Sequence, residues 1–169
     1  MIRDEEIKRL ISYAEGLGTK VSFRQYKSSA NAAAEWYVDG SQIIVYTWLN
    51  QSKTQLVLSL IHELGHHLHW IKANRKPDKE LIEALQLEES SDEVIDKKYR
   101  KLIYQDEVEG TQYWSEIVKL VDIKINPVII EAHKKLDVFL YYHYYIEGSF
   151  PTQRVKQQKL KEFKNNERK

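Results

Sequence analysis

The stretch "SLIHELGHHLHW", residues 59–70, holds four of the six histidines in the chain and a single glutamate among them. His62 and His66 are four residues apart, so on a helix they lie one above the other on the same face. Two imidazoles at that spacing can bind one metal ion. Glu63 is rotated to the side of the pair, where a carboxylate can act as general base on a metal-activated water. This His-Glu-x-x-His pattern is typical of zinc-dependent peptidases.

The same helix geometry separates the other two histidines from this pair. His69 lies seven residues after His62, a rise of about 10.5 Å that is too long for one tetrahedral ion. His67 points about 100° away from His66. Gly65 costs about 1 kcal/mol relative to alanine inside a helix. That cost predicts that a second backbone packs closely against Gly65.

A catalytic zinc ion takes three protein ligands and a water molecule, so a third ligand must come from elsewhere. The best segment is "YQDEVEGTQYWSEIVKLV", residues 104–121, read as one amphipathic helix. Asp106 and Glu109 lie on or beside its apolar face, and Glu107 lies at the far edge. A buried carboxylate needs a partner, and a metal ion is one. The residues alone leave open which of these three carboxylates binds the metal. They also leave open that the acidic side chains are simply exposed to solvent on the helix surface.

The remaining elements predict an α+β fold, mostly helical, with a small antiparallel three-stranded sheet packed on the His62 helix. "KVSFRQY" alternates like a strand, and "AEWYVDGSQIIVYTWL" indicates a hairpin that turns at Asp39-Gly40. Ser52 and Gln55 form a capping box before the His62 helix, and Pro77 is expected to close that helix. We expect one domain over residues 1–150 and a basic C-terminal helix or tail over residues 151–169.

Composition narrows the functional classes. The chain has 169 residues, a net charge of +1 and no cysteine, which excludes thiolate zinc sites, disulfides and cysteine nucleophiles. It has no signal-peptide pattern and no apolar run of membrane-spanning length, so we expect a cytoplasmic protein without a membrane partner. The charge balance argues against nucleic acid as a partner, apart from weak contact by the basic tail.

Taken together, these motifs resemble those of the ImmA/IrrE-type zincin-like metallopeptidases of bacteria and phages. The resemblance covers about residues 36–121. It lies in the stretch His62 to His66 and in the stretch Glu107 to Trp114, followed by Ile117-Val118. It implies a zincin-like fold, a bound Zn²⁺ and a peptide or protein substrate. It also implies that Glu109 is the third zinc ligand and Glu107 a surface or supporting group. Gly110 and Trp114 depart from the family pattern, which has alanine at both places.

Two aromatic segments are candidates for substrate binding or catalysis. Strand aromatics could line a peptide groove at the sheet edge, or could simply pack in the core: Trp36, Tyr37, Tyr46 and Trp48. In "FLYYHYYIEG", residues 139–148, Tyr142 and His143 are candidates to stabilise an oxyanion, with core packing as the alternative.

The leading hypothesis is therefore a zinc-dependent endopeptidase. The alternative is a catalytically silent zinc-binding protein of the same fold that acts as a protein-interaction module. The presence of Glu63 favours the enzyme, because zinc binding alone would need only the ligands.

Overall fold

The computed structural model describes residues 2–26, 33–74, 76, 78–90 and 95–168, with the side chains of residues 89 and 90 excepted. The α+β prediction is confirmed. In chain order the elements are α1 Asp4–Gly16, β1 Lys20–Gln25, β2 Ala34–Trp36, β3 Gln42–Thr47, α2 Lys53–Lys72, α3 Lys79–Ser90, α4 Lys97–Thr111, α5 Trp114–Val121, α6 Pro127–Tyr141, a π-helical turn Tyr142–Ile146, and α7 Gln153–Asn166.

The three strands form a mixed sheet in the order β1-β3-β2, so the expected all-antiparallel arrangement is wrong for β1. The predicted hairpin is confirmed, since β2 pairs antiparallel with β3. β1 pairs parallel with the other edge of β3, from Lys20 opposite Gln42 to Gln25 opposite Thr47. The buried run Ile43 to Tyr46 suits a central strand with both faces covered. β1 and β2 therefore flank β3 instead of pairing with each other.

Helix α2 is the element around which the core forms. Ser52 caps it as predicted: its hydroxyl accepts a hydrogen bond from the backbone N–H of Gln55 at 3.2 Å. Pro77, the expected helix stop, lies outside the described residues, and α2 already ends at Lys72. The apolar side chains of α2 are buried with others from β3 and α5 in one cluster, which includes Ile43, Val45, Leu60, Ile61, Leu64, Trp114 and Ile117.

The later helices complete the fold around α2. α4 packs against α2, α6 contacts α4 and α5, and α7 packs along α6. Within the described ranges, none of the helices combines the length and the apolar character needed to cross a membrane.

Glu6 is a charged residue with no exposed surface, and it connects the start of α1 to the segment after α5. Its carboxylate accepts a hydrogen bond from the backbone N–H of Arg3 at 2.9 Å and another from Lys124 at 2.6 Å. These backbone hydrogen bonds outweigh the effect of burial and lower the pKa of Glu6 to about 2.

We expect Glu6→Gln to lower the free energy of unfolding by about 1–3 kcal/mol at pH 7, because a buried hydrogen bond to an ionised carboxylate is lost. The pKa of Glu6 is lower in the folded state than the ordinary 4.5. Its contribution is therefore present at neutral pH and is lost as the pH falls from about 4.5 towards 2. Urea unfolding at pH 7 and at pH 3 should show the difference between variant and wild type shrinking. The exposed neighbour, changed as Glu5→Gln, is the control, and a pH-independent loss in Glu6→Gln would contradict the assignment.

Candidate metal centre

Two helices bring three potential metal ligands together. His62 and His66 come from α2 and Glu107 comes from α4. The two Nε2 atoms are 3.3 Å apart, and Oε2 of Glu107 lies 3.0 Å from Nε2 of His62 and 3.4 Å from Nε2 of His66. Ligands bound to one tetrahedral ion at about 2.0–2.1 Å are themselves separated by about 3.3–3.4 Å. The three atoms therefore have the spacing of one face of a zinc coordination tetrahedron.

Each histidine also has a carboxylate near its other ring nitrogen, Nδ1. Asp137 on α6 places Oδ2 at 3.3 Å from Nδ1 of His62, and Asp106 on α4 places Oδ2 at 2.9 Å from Nδ1 of His66. Metal-binding histidines usually have their other ring nitrogen held by such a carboxylate, which fixes the ring and raises its basicity. Oε2 of Glu107 is buried and faces the two imidazole nitrogens, with no other hydrogen-bond partner in the described part of the chain. A cation between the three ligand atoms would satisfy this oxygen.

The electrostatics of the group favour positive charge. Burial by itself would lower the pKa of His62, but Asp137 and Glu107 outweigh burial and raise it to about 10. Asp106 similarly raises the pKa of His66 well above its usual value. Burial opposes ionisation of Glu107, yet the two histidines hold its pKa at about 2. Protons or a metal ion can supply the positive charge that these carboxylates need.

Glu63 lies beside this group with 8% of its surface exposed. Burial raises the pKa of its carboxyl above the usual value, while His62 and His66 partly oppose that rise. A carboxylate with a raised pKa is better matched to proton transfer near neutral pH than an ordinary surface glutamate.

A contact between two glycines allows α4 to approach α2 here. A Cβ atom on Gly65 would lie 2.2 Å from the carbonyl oxygen of Gly110, and a Cβ atom on Gly110 would lie 3.0 Å from the ring of His66. The prediction that a second backbone packs closely against Gly65 is confirmed. Gly110, the departure from the family pattern, has a physical reason as well, because alanine there would press on His66.

Glu109, the third ligand implied by the family resemblance, does not lie with the two histidines. It follows Glu107 by two residues, a rotation of about 200° around the helix. Its Oε2 is 3.3 Å from Nε2 of His69, and Gln105 donates a hydrogen bond to its Oε1 at 2.9 Å. The apolar face that favours Glu109 in the sequence runs through to Val121. The helix ends at Thr111, however, so the face of α5 does not continue along α4.

The other two histidines of the opening stretch lie outside the group. His67 has no exposed surface; its Nδ1 accepts a hydrogen bond from the indole of Trp36 at 3.3 Å, and its Nε2 faces the carbonyl of Leu17 at 3.5 Å. Nδ1 of His69 lies 3.9 Å from Asp106.

Tyr142 and His143, the predicted oxyanion candidates, have other neighbours. Tyr142 is 41% exposed and its ring packs edge-on against Tyr104. His143 pairs with Glu147. Tyr141 approaches the metal group instead: its hydroxyl is 3.5 Å from Nε2 of His62. Sequence reasoning missed Tyr141, although its spacing of four residues from Asp137 places both on one face of α6.

The fold places the aromatic residues of the strands in different surroundings. β3 is central, so Tyr46 is buried and does not lie on an edge. β2 is an edge strand, and it ends in Trp36, whose ring lies nearly parallel to that of His66 with centroids 6.1 Å apart. Tyr37 follows it and is 42% exposed. Trp36 therefore contacts the candidate metal centre through its ring.

Comparison of the chain with protein-family models, with curated proteins and with solved structures finds no match.

We expect Gly65→Ala to destabilise the fold by about 1–3 kcal/mol or more, because the added methyl group collides with the backbone of α4. Thermal unfolding measures the loss, and zinc binding should weaken with it as Glu107 is displaced. Gly16→Ala is the matched control: it lies at the end of α1 with open space around it, and alanine should be neutral or stabilising there. A Gly65→Ala protein as stable as wild type would contradict the close helix crossing.

Substituting Glu107 and Glu109 one at a time should show which of the two glutamates on α4 is the third zinc ligand. Glu107→Gln should lower zinc affinity by at least about 100-fold, because it removes the carboxylate that faces both histidines. Glu109→Gln should leave zinc affinity nearly unchanged. Competition with a chromophoric chelator measures both constants. The reverse result, in which Glu109→Gln loses zinc and Glu107→Gln retains it, would restore the ligand implied by the family resemblance.

Proposed function

We propose that this chain is a zinc-dependent endopeptidase of the zincin type, similar to the ImmA/IrrE metallopeptidases. His62, His66 and Glu107 bind the metal, and Glu63 is the general base. The observation that carries the proposal is a buried glutamate adjacent to a set of two histidines and one carboxylate. Such a set leaves a fourth position open for water, as in catalytic zinc sites.

The residues then have distinct roles in hydrolysis of a peptide bond. Zinc, when bound, makes water more acidic and polarises the substrate carbonyl. Glu63 takes the proton from the attacking water and delivers it to the leaving amine nitrogen, for which a raised pKa is suitable. Asp137 and Asp106 hold the two imidazoles in orientation. The Tyr141 hydroxyl is close enough to His62 to donate a hydrogen bond to the oxyanion that develops on the substrate.

The alternative of a silent zinc-binding protein fits the ligand set less well. Structural zinc sites are usually closed by four protein ligands. Among the described residues, the candidate group offers three, with a carboxylate in the position of a base beside them. These features support a reactive centre more than a structural one.

The proposal is tested with Glu63→Gln. This variant should bind zinc as tightly as wild type and cleave peptides more slowly by about 10²–10⁴-fold, because it keeps the ligands and removes the base. A mixed peptide library analysed by mass spectrometry reveals cleavage at any sequence that the protein accepts, and a zinc chelator should abolish it. Equal cleavage by Glu63→Gln and wild type would remove the general-base role. Zinc binding without any cleavage by wild type would favour the interaction module.

Kinetics on a peptide found in this way can test Tyr141. We expect Tyr141→Phe to lower kcat by about 10²–10³-fold with little change in KM or zinc affinity, since the hydroxyl acts on the transition state. Tyr142→Phe, one residue away and facing Tyr104, is the matched control and should leave kcat unchanged. Equal kcat values for the two variants would exclude the role of Tyr141.

A further inference from the structure

A cavity of about 220 Å³ opens beside the metal centre, on the side of His66. Its wall includes Trp36 from the edge strand β2, Trp70 from α2, and Asp106 and Glu109 from α4. Pockets that bind whole small molecules usually measure about 300–1,000 Å³. This cavity is smaller, which suits one long side chain of a bound peptide.

The aromatic wall of the cavity is fixed in place. The indole of Trp36 donates its hydrogen bond to His67, and Trp70 meets the Trp36 ring edge to face with centroids 6.4 Å apart. The hairpin turn also restrains Trp70, because a Cβ atom on Gly40 would lie 2.4 Å from its ring. Held in this way, the two indoles form a rigid apolar surface. Aromatic rings of this kind attract cations and stack on guanidinium groups.

The polar part of the cavity is predominantly acidic. Asp106 and Glu109 are three residues apart and lie on the same side of α4, and Asp78 is at the start of α3. Against these three carboxylates, the lining has the ammonium group of Lys76 and the imidazole of His69. Asp106 contacts His66 through Oδ2, and Glu109 contacts His69 and Gln105. Their side chains remain 19% and 35% exposed, so their negative charge still faces a ligand in the cavity. An acidic cleft with apolar walls concentrates cations.

We propose that this cavity binds an arginine or lysine side chain of the peptide substrate, next to the bond that is cleaved. The position relative to the scissile bond rests on the proposed peptidase function. Recognition of the basic side chain does not, because aromatic walls and carboxylates attract it whether or not hydrolysis follows.

The test uses the Glu63→Gln protein, so that no peptide is consumed, and two pentapeptides. Ac-Ala-Ala-Arg-Ala-Ala-NH₂ is compared with the same peptide containing citrulline, which has nearly the shape of arginine without its charge. Calorimetry gives both Kd values, and the indole N–H signals of Trp36 and Trp70 in NMR spectra report where the peptide binds. We expect the arginine peptide to bind about ten-fold more tightly and to shift both indole signals.

Glu109→Gln, added to the same protein, should reduce that preference to near equality, because it removes a carboxylate and keeps the shape. Glu162→Gln on α7 removes one charge outside the cavity and should keep the full preference. Equal affinity for the two peptides, an arginine preference that survives Glu109→Gln, or no binding of either peptide would overturn the inference.

The two proposals fail in different ways. If wild type binds zinc and cleaves peptides without regard to basic residues, the peptidase function stands and the cavity assignment is overturned. If the arginine peptide binds selectively and wild type hydrolyses nothing, the cavity assignment stands and the peptidase function is overturned.

Discussion

The close contact between Gly65 and Gly110 is the constraint on which the candidate metal centre depends. A side chain at Gly65 would push α4 away from α2, so that Glu107 would lose contact with the histidines, and a side chain at Gly110 would press on the ring of His66. Glycine inside a helix costs up to about 1 kcal/mol at each place. The two glycines thus weaken α2 and α4 individually but allow their backbones to approach closely. The candidate metal ligands come from two separate segments, and the helix crossing determines whether they meet.

The second constraint is electrostatic. Four carboxylates surround two histidines in a largely buried place: Glu63, Asp106, Glu107 and Asp137. Burying like charges is costly unless positive charge compensates them, so this arrangement is stable only with protonated histidines or with a cation. The same charges that orient the imidazoles therefore tie the stability of this region to protonation of the histidines or binding of a cation. The acidic edge of the cavity continues this field beyond the candidate metal centre, through Asp106 and Glu109.

Local patterns in the sequence predict much of this arrangement. The spacing of His62, Glu63 and His66, the capping box at Ser52, the hairpin at Asp39-Gly40 and the close contact at Gly65 all depend on a few neighbouring residues. The errors arise where the geometry is not local. The family resemblance implies Glu109, and an apolar face read along residues 104–121 places Glu107 at its far edge, whereas α4 ends at Thr111 and α5 begins at Trp114. The parallel pairing of β1 depends on which strand takes the centre of the sheet.

The prediction of Tyr142 instead of Tyr141 is another error that arises because a local sequence pattern does not reveal which side chain faces the site. The run of aromatics after Leu140 has no apolar periodicity, so it does not reveal which ring faces inward. The preceding residues do: Asp137 is one helical turn before Tyr141, and both contact His62. After Tyr141 the helix widens into the π-helical turn Tyr142–Ile146, and such turns often lie at functional sites. The widened turn breaks the α-helical spacing that sets the face of Asp137 and Tyr141. For this reason, counting four residues forward from Asp137, which contacts His62, identifies Tyr141 as the inward-facing tyrosine, whereas counting along the aromatic run does not.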